Sequence, residues 1–152
     1  ILKKASFYNS KIILPVDLVC SKNIKDTKNI EIVDIKNILP NQIAFDVGHK
    51  TIKKIKLILL KSKMILWNGP LGAFEYKPFD FGTNKIAEII RTDIQKFDII
   101  TYAGGGDTIA AIKQAKAENS FRYISTAGGA FLEWLEGKES PGVIALKNNE
   151  IT

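Results

Sequence analysis

The chain has 152 residues, 45% of them hydrophobic and 25% charged, and a formal net charge of +6. This is enough for one compact domain with one core, and the composition excludes a disordered or fibrous protein. With Cys20 as its single cysteine, the chain has no internal disulfide, which points to a reducing, cytoplasmic compartment.

No apolar run reaches the length of a membrane span. The greasiest stretch, Ile55 to Leu60, is interrupted by Lys56 and stopped by Lys61. The opening Ile1-Leu2-Lys3-Lys4 has neither an initiator Met nor a signal-peptide pattern, and reads as the interior of a longer chain. The lysines are scattered except between Lys50 and Lys63, where they alternate with Ile and Leu at helical spacing. That is the pattern of a solvated helix face, and the aromatic interleaving of a single-strand binder is absent, so no nucleic-acid or membrane partner is expected.

In chain order, Ile12 to Leu14 followed by Val16 to Val19 reads as a strand. Ser21 to Gln42 is polar and Asn/Lys-rich, with a short strand candidate at Ile30 to Val33. A further strand is expected at Ile43 to Val47, and these pieces suit an antiparallel edge. After Gly48 the pattern changes. Thr51 to Lys61 is helical, with Ile52, Ile55 and Leu59 on one face, and Met64 to Trp67 is an apolar strand. Asn68-Gly69-Pro70-Leu71-Gly72 must be a loop. Ile86, Ile89, Ile90 and Ile94 form the buried stripe of the next helix, and Phe97 to Tyr102 is the next strand. Gly104-Gly105-Gly106-Asp107 leads into a helix with Ile109 and Ile112 inward, and Phe121 to Ser125 is a strand. Thr126-Ala127-Gly128-Gly129 opens a helix carrying Phe131, Leu132 and Leu135, which Gly137 should end in a left-handed cap. Pro141-Gly142 is a turn, and Val143 to Leu146 is expected as a last short strand. Three successive strand–loop–helix units imply right-handed crossovers and an α/β fold. The expectation is a three-layer, Rossmann-like parallel sheet with helices on both faces, in a single domain over residues 1–152.

In such a sheet every strand-to-helix loop lies along one edge, where ligands bind, so three glycine clusters become one candidate site. Gly104, Gly105 and Gly106 let successive backbone N–H groups converge, and the helix start at Asp107 adds a positive dipole end, an arrangement suited to phosphate. The Asp107 charge would repel a phosphate unless a cation such as Mg²⁺ lies between them. The bland alternative is that Asp107 caps its helix and the glycines make a tight turn. Gly128 and Gly129 offer bare N–H groups at another helix start, or simply allow close helix–sheet packing. Pro70 and Phe74 could contact a base and Glu75 a ribose, although such a stretch is more often a structural turn. There is no P-loop and no Gly-x-Gly-x-x-Gly fingerprint. The lone His49 has no ligand set around it, and Cys20 reads as a small buried hydrophobe.

These residues resemble one known family. Trp67-Asn68-Gly69-Pro70-Leu71-Gly72-Ala73-Phe74-Glu75, Gly104-Gly105-Gly106-Asp107-Thr108 and the run from Ser125 to Leu146 look like three motifs of phosphoglycerate kinases, in collinear order. Leu14-Pro15-Val16-Asp17 and Asp46-Val47-Gly48 fit as well. Ala127, His49 and Ser140 depart from the usual Gly, Pro and Leu without removing a predicted ligand.

The resemblance implies the C-terminal lobe of a two-lobe kinase that exchanges a phosphoryl group between 1,3-bisphosphoglycerate and MgADP, giving 3-phosphoglycerate and MgATP in glycolysis. It implies that Asn68, Gly69, Pro70 and Glu75 contact the nucleoside, and that Gly104, Gly105, Gly106, Asp107 and Thr108 meet the phosphates, with Asp107 on the Mg²⁺ side. Gly105, Gly128 and Gly129 would stand near the transferred phosphoryl as backbone donors. The N-terminal lobe that binds phosphoglycerate, and the first glycine-rich nucleotide loop with its Lys, have no counterpart among these residues. The chain alone is therefore expected to be inactive, with an open sheet edge and an apolar patch that favour self-association, while a full-length parent would be a monomer. Two other readings stay open: a non-catalytic remnant or interaction module of the same fold, and a dinucleotide-binding domain, which lacks its fingerprint here.

Overall fold

A computed structural model describes residues 1–139 and 141–149. Ser140, one of the motif departures, lies outside the described residues, as do residues 150–152. The architecture has two small sheets sharing one core. Helix α1 (Leu2–Phe7) precedes strands β1 (Asp17–Ser21), β2 (Glu31–Asp34) and β3 (Ile43–Val47). These form an antiparallel sheet in the order β2-β1-β3, as the sequence suggested, but residues 12–14 lie outside β1.

Helix α2 (His49–Leu59) follows, then β4 (Met64–Asn68), α3 (Phe81–Thr92), a 3₁₀ turn at Ile94–Lys96, β5 (Ile100–Gly104), α4 (Gly106–Gln114), β6 (Tyr123–Ser125), α5 (Gly128–Leu135) and α6 (Pro141–Asn149). Strands β4, β5 and β6 form a parallel sheet flanked by helices, in sequence order. The expected strand over Val143 to Leu146 is instead part of α6. A short apolar run does not distinguish strand from helix, and Pro141 stands at the first helical position, where its fixed φ favours the start. The strand expected from Phe97 begins only at Ile100, because Phe97 closes the 3₁₀ turn and is exposed.

The core is contiguous. Ile52 of α2, Ile86, Ile89 and Ile90 of α3, Ile65 and Trp67 of β4, and Ile112 of α4 meet in one cluster, with Ile55 and Leu59 packed against it. Ile94 belongs to the cluster too, though it sits in the 3₁₀ turn and not in α3. Each such buried aliphatic side chain contributes about 1.5–3 kcal/mol, which holds the helices on the sheet. The other face of the sheet is more open. Leu66, Tyr102 and Tyr123 stand in register across three strands, and Leu66 and Tyr123 are exposed. Cys20 is fully buried, and burial together with the Glu31 charge pushes its thiol pKa up, as suits an inert packing residue. Helix α5 ends as expected: Gly137 has φ +81°, and the Lys138 N–H reaches the Glu133 carbonyl at 2.9 Å, a Schellman closure. Among the described residues, no helix is long and apolar enough to cross a membrane.

Candidate functional site

The three loops do leave one edge of the parallel sheet. Asn68, Gly104 and Ser125, the last residues of β4, β5 and β6, are register partners, so their loops start side by side. Gly105 has φ +97°, a conformation that L side chains rarely adopt, and turns the chain into α4. Gly128, at the start of α5, lies directly on it: a Cβ there would run into the Gly105 backbone. The two glycine loops are therefore in contact, and their glycines permit it. Gly106 and Gly129 have open space where a Cβ would project. The positive ends of α4 and α5 thus meet at one place, the arrangement that receives phosphate oxygens.

The structure gives Thr108 and Gly69 a task the sequence did not suggest. Thr108 is buried, and its Oγ1 accepts the Gly69 N–H at 2.6 Å. The Gly69 carbonyl accepts the Trp67 indole N–H, also at 2.6 Å. Gly69, with φ +95°, therefore shapes the loop after β4, and its N–H is already engaged. Gly104 is buried at the end of β5. Asn68 is exposed beside Gly105.

A recess of about 220 Å³ lies next to this junction. It is lined by Pro70, Ala73, Phe74, Glu75 and Tyr76 and, from α4, by Asp107. Phe74 is itself buried, with only part of it contributing to the wall. Tyr76 is half exposed and was not singled out from sequence; an aromatic beside Glu75 in a loop was the available signal. Asp107 is exposed in the first turn of α4. Among the described residues, no group of three His, Cys, Asp or Glu could hold an ion unaided. One carboxylate beside two phosphate-type helix starts suits a cation carried mainly by phosphates and water, as Mg²⁺ usually is. His49 packs edge-on against Phe81, with ring centroids 4.7 Å apart, and stands apart from the recess.

Beneath the loop that walls the recess lies Asp46, which the sequence reading gave no role. It is 3% exposed, its Oδ2 accepts the Gly82 N–H at 2.6 Å, and its Oδ1 accepts the Val47 N–H at 2.7 Å. Burial pushes its carboxyl up to about 6, against the pull of the Gly82 and Val47 bonds and with the Asp80 charge adding to the rise. An Asp in the otherwise apolar run Ile43 to Val47 was the sequence signal, since a buried carboxylate requires donors.

Paired glycine-lined helix starts at the carboxyl edge of a parallel sheet place this chain among α/β domains whose ligands bind at that edge. The comparisons with known proteins are more specific. The family model described as "Phosphoglycerate kinase" matches residues 1–138. The phosphoglycerate kinase of Orientia tsutsugamushi (strain Ikeda) is 48% identical over 149 residues, covering 96% of this chain and 36% of that protein. That of Rhodospirillum centenum is 44% identical over 146 residues, covering 96% of this chain and 37% of the relative. The solved phosphoglycerate kinase from Coxiella burnetii superposes with a TM-score of 0.82 at 35% identity, over 90% of this chain and 35% of that one. The enzyme from Pyrococcus horikoshii OT3 gives 0.74 at 30% identity, over 93% and 33%. This chain belongs to the phosphoglycerate kinase family, and it spans about a third of the length of the relatives it matches.

Proposed function

We propose that this chain is the nucleotide-binding part of a phosphoglycerate kinase, which transfers a phosphoryl group reversibly between the acyl phosphate of 1,3-bisphosphoglycerate and MgADP. The observation that carries the reading is the contact of Gly128 with Gly105, which joins two helix starts into one anion seat beside Asp107 and the Glu75 recess.

In this reading the backbone N–H groups of Gly105, Gly106, Gly128 and Gly129 face the phosphates, and Asn68, Pro70 and Glu75 meet the nucleoside. Thr108 and Gly69 hold the loop that carries them. Asp107 would hold Mg²⁺ through the phosphates; the ion would neutralise charge developing on the transferred group. Fixed backbone dipoles suit this chemistry, because phosphoryl transfer needs positioning and charge stabilisation more than covalent help from the protein. The two arginines, Arg91 and Arg122, are exposed and outside the site. The phosphoglycerate would therefore be bound by the length of the relatives that this chain does not span, and the chain alone would transfer no phosphate. The setting would be glycolysis in the cytoplasm, with residues 1–152 acting as one domain of a monomeric parent.

Calorimetric titration with MgADP tests the reading. Saturable binding that weakens about tenfold in Asp107→Ala supports a working phosphate seat. No heat at millimolar nucleotide would leave the chain a family member without a nucleotide site of its own.

A further inference from the structure

The loop that walls the recess, residues 70–80, has no regular structure of its own and runs into α3, yet it must hold Glu75 and Tyr76 in the wall of a recess that Asp107 also lines. Its ends are tied down at three places. The Leu71 N–H donates to Thr83 Oγ1 at 3.1 Å, the Ala73 N–H to the Phe45 carbonyl at 2.8 Å, and the Gly82 N–H to Asp46 Oδ2. Asp46 sits between both ends: a Cβ on either Gly72 or Gly82 would run into its carboxyl group. A buried carboxylate thus fills the gap between two glycines ten positions apart in sequence, and its own strand β3 supplies the neighbouring tie through Phe45.

We infer that Asp46 is a positioning residue for nucleotide binding: it fixes the start of the loop at Gly72 against the first turn of α3 at Gly82 and so sets the wall of the recess that Asp107 also lines. The inference rests on the nucleotide reading above and concerns a buried group. The carboxylate acts through the loop. Removing it leaves the buried Gly82 N–H without an acceptor and opens space under Gly72, so the loop loses its fixed path while the sheet and the glycine junction keep theirs. Gly72 is required for the same reason from the other side, since added bulk there would displace the carboxyl and press on the Phe79 carbonyl.

The test combines site-resolved amide exchange with MgADP titration, on the wild-type chain and on Asp46→Ala, Asp46→Asn and Gly72→Ala. Expected for Asp46→Ala and Gly72→Ala is exchange accelerated at least tenfold at Ala73 and Gly82, with the amides of β4 and β5 unchanged, and MgADP affinity reduced by roughly tenfold. Asp46→Asn keeps the volume and one acceptor oxygen and should recover much of both losses. If exchange at Ala73 and Gly82 in Asp46→Ala matches wild type, or if affinity holds while that exchange rises, Asp46 does not position the recess. If wild type itself binds no MgADP, the functional reading fails, and the exchange data alone decide whether Asp46 sets the loop. An Asp46→Ala chain that does not fold leaves the decision to Gly72→Ala and Asp46→Asn, which retain the polar group.

Discussion

Asp17 and Asp46 are each 3% exposed, and each accepts at least one backbone N–H from the first turn of a helix, yet their carboxyls are driven in opposite directions. Burial raises both. At Asp17 it is outweighed by the Thr51 hydroxyl at 2.6 Å, the Lys50 and Thr51 N–H groups and the Lys50 charge, so the group is held below the usual carboxylate range. Asp46 has two N–H donors, and its charged neighbour is Asp80, so burial wins. The difference shows what each aspartate is for. Asp17 is a structural cap brought from β1 to α2, whose own N-cap residue is Gly48 and offers no side chain. Asp46 is a more costly group, held between β3 and the first turn of α3 beneath the loop that walls the recess.

The largest effect that could break this comparison is Asp17→Ala. It orphans the Lys50 and Thr51 N–H groups and should cost about 3 kcal/mol in urea unfolding; a loss below about 1 kcal/mol would mean α2 does not depend on the cap. Next is the pH dependence of stability. Asp46 has a folded pKa above its unfolded value, so its favourable contribution is complete below about pH 4 and fades as pH rises through about 6, by about 2–3 kcal/mol. Asp17 has the opposite sign: its contribution is present above about pH 4 and disappears as pH falls through its depressed folded value. Urea titrations from pH 3 to 8 should show a falling limb between about pH 4 and 6 that Asp46→Asn flattens, and a separate acid limb that Asp17→Asn flattens. A single limb, or one insensitive to either substitution, would end the contrast. The smallest effect is that of Asp80→Asn, which removes the weaker of the two influences that raise Asp46 and should move the upper limb slightly toward acid, without abolishing it.

The helix donors of neither aspartate could be read from the chain, because those bonds join residues more than thirty positions apart. For the same reason the sequence starts α2 at Thr51, two residues late, because the capping group lies in another strand. Local patterns fared better. Ile43 to Val47 is β3 with the same ends, and the isoleucine stripe is buried as read, although its last member, Ile94, lies in the 3₁₀ turn after α3. The glycine clusters were legible as neighbours because parallel strands place their exits in a row, a consequence of topology. Their actual contact, Gly128 against Gly105, and the Thr108–Gly69 bond depend on packing that no spacing encodes.

The central claim, that these two loops form one phosphate seat, is tested most directly by following backbone amide resonances during MgADP addition. The account predicts saturable shifts that share one dissociation constant at Gly105, Gly106, Gly128 and Gly129. Shifts confined to one loop, or the same titration curve in Gly128→Ala, whose added Cβ must separate the loops, would contradict it.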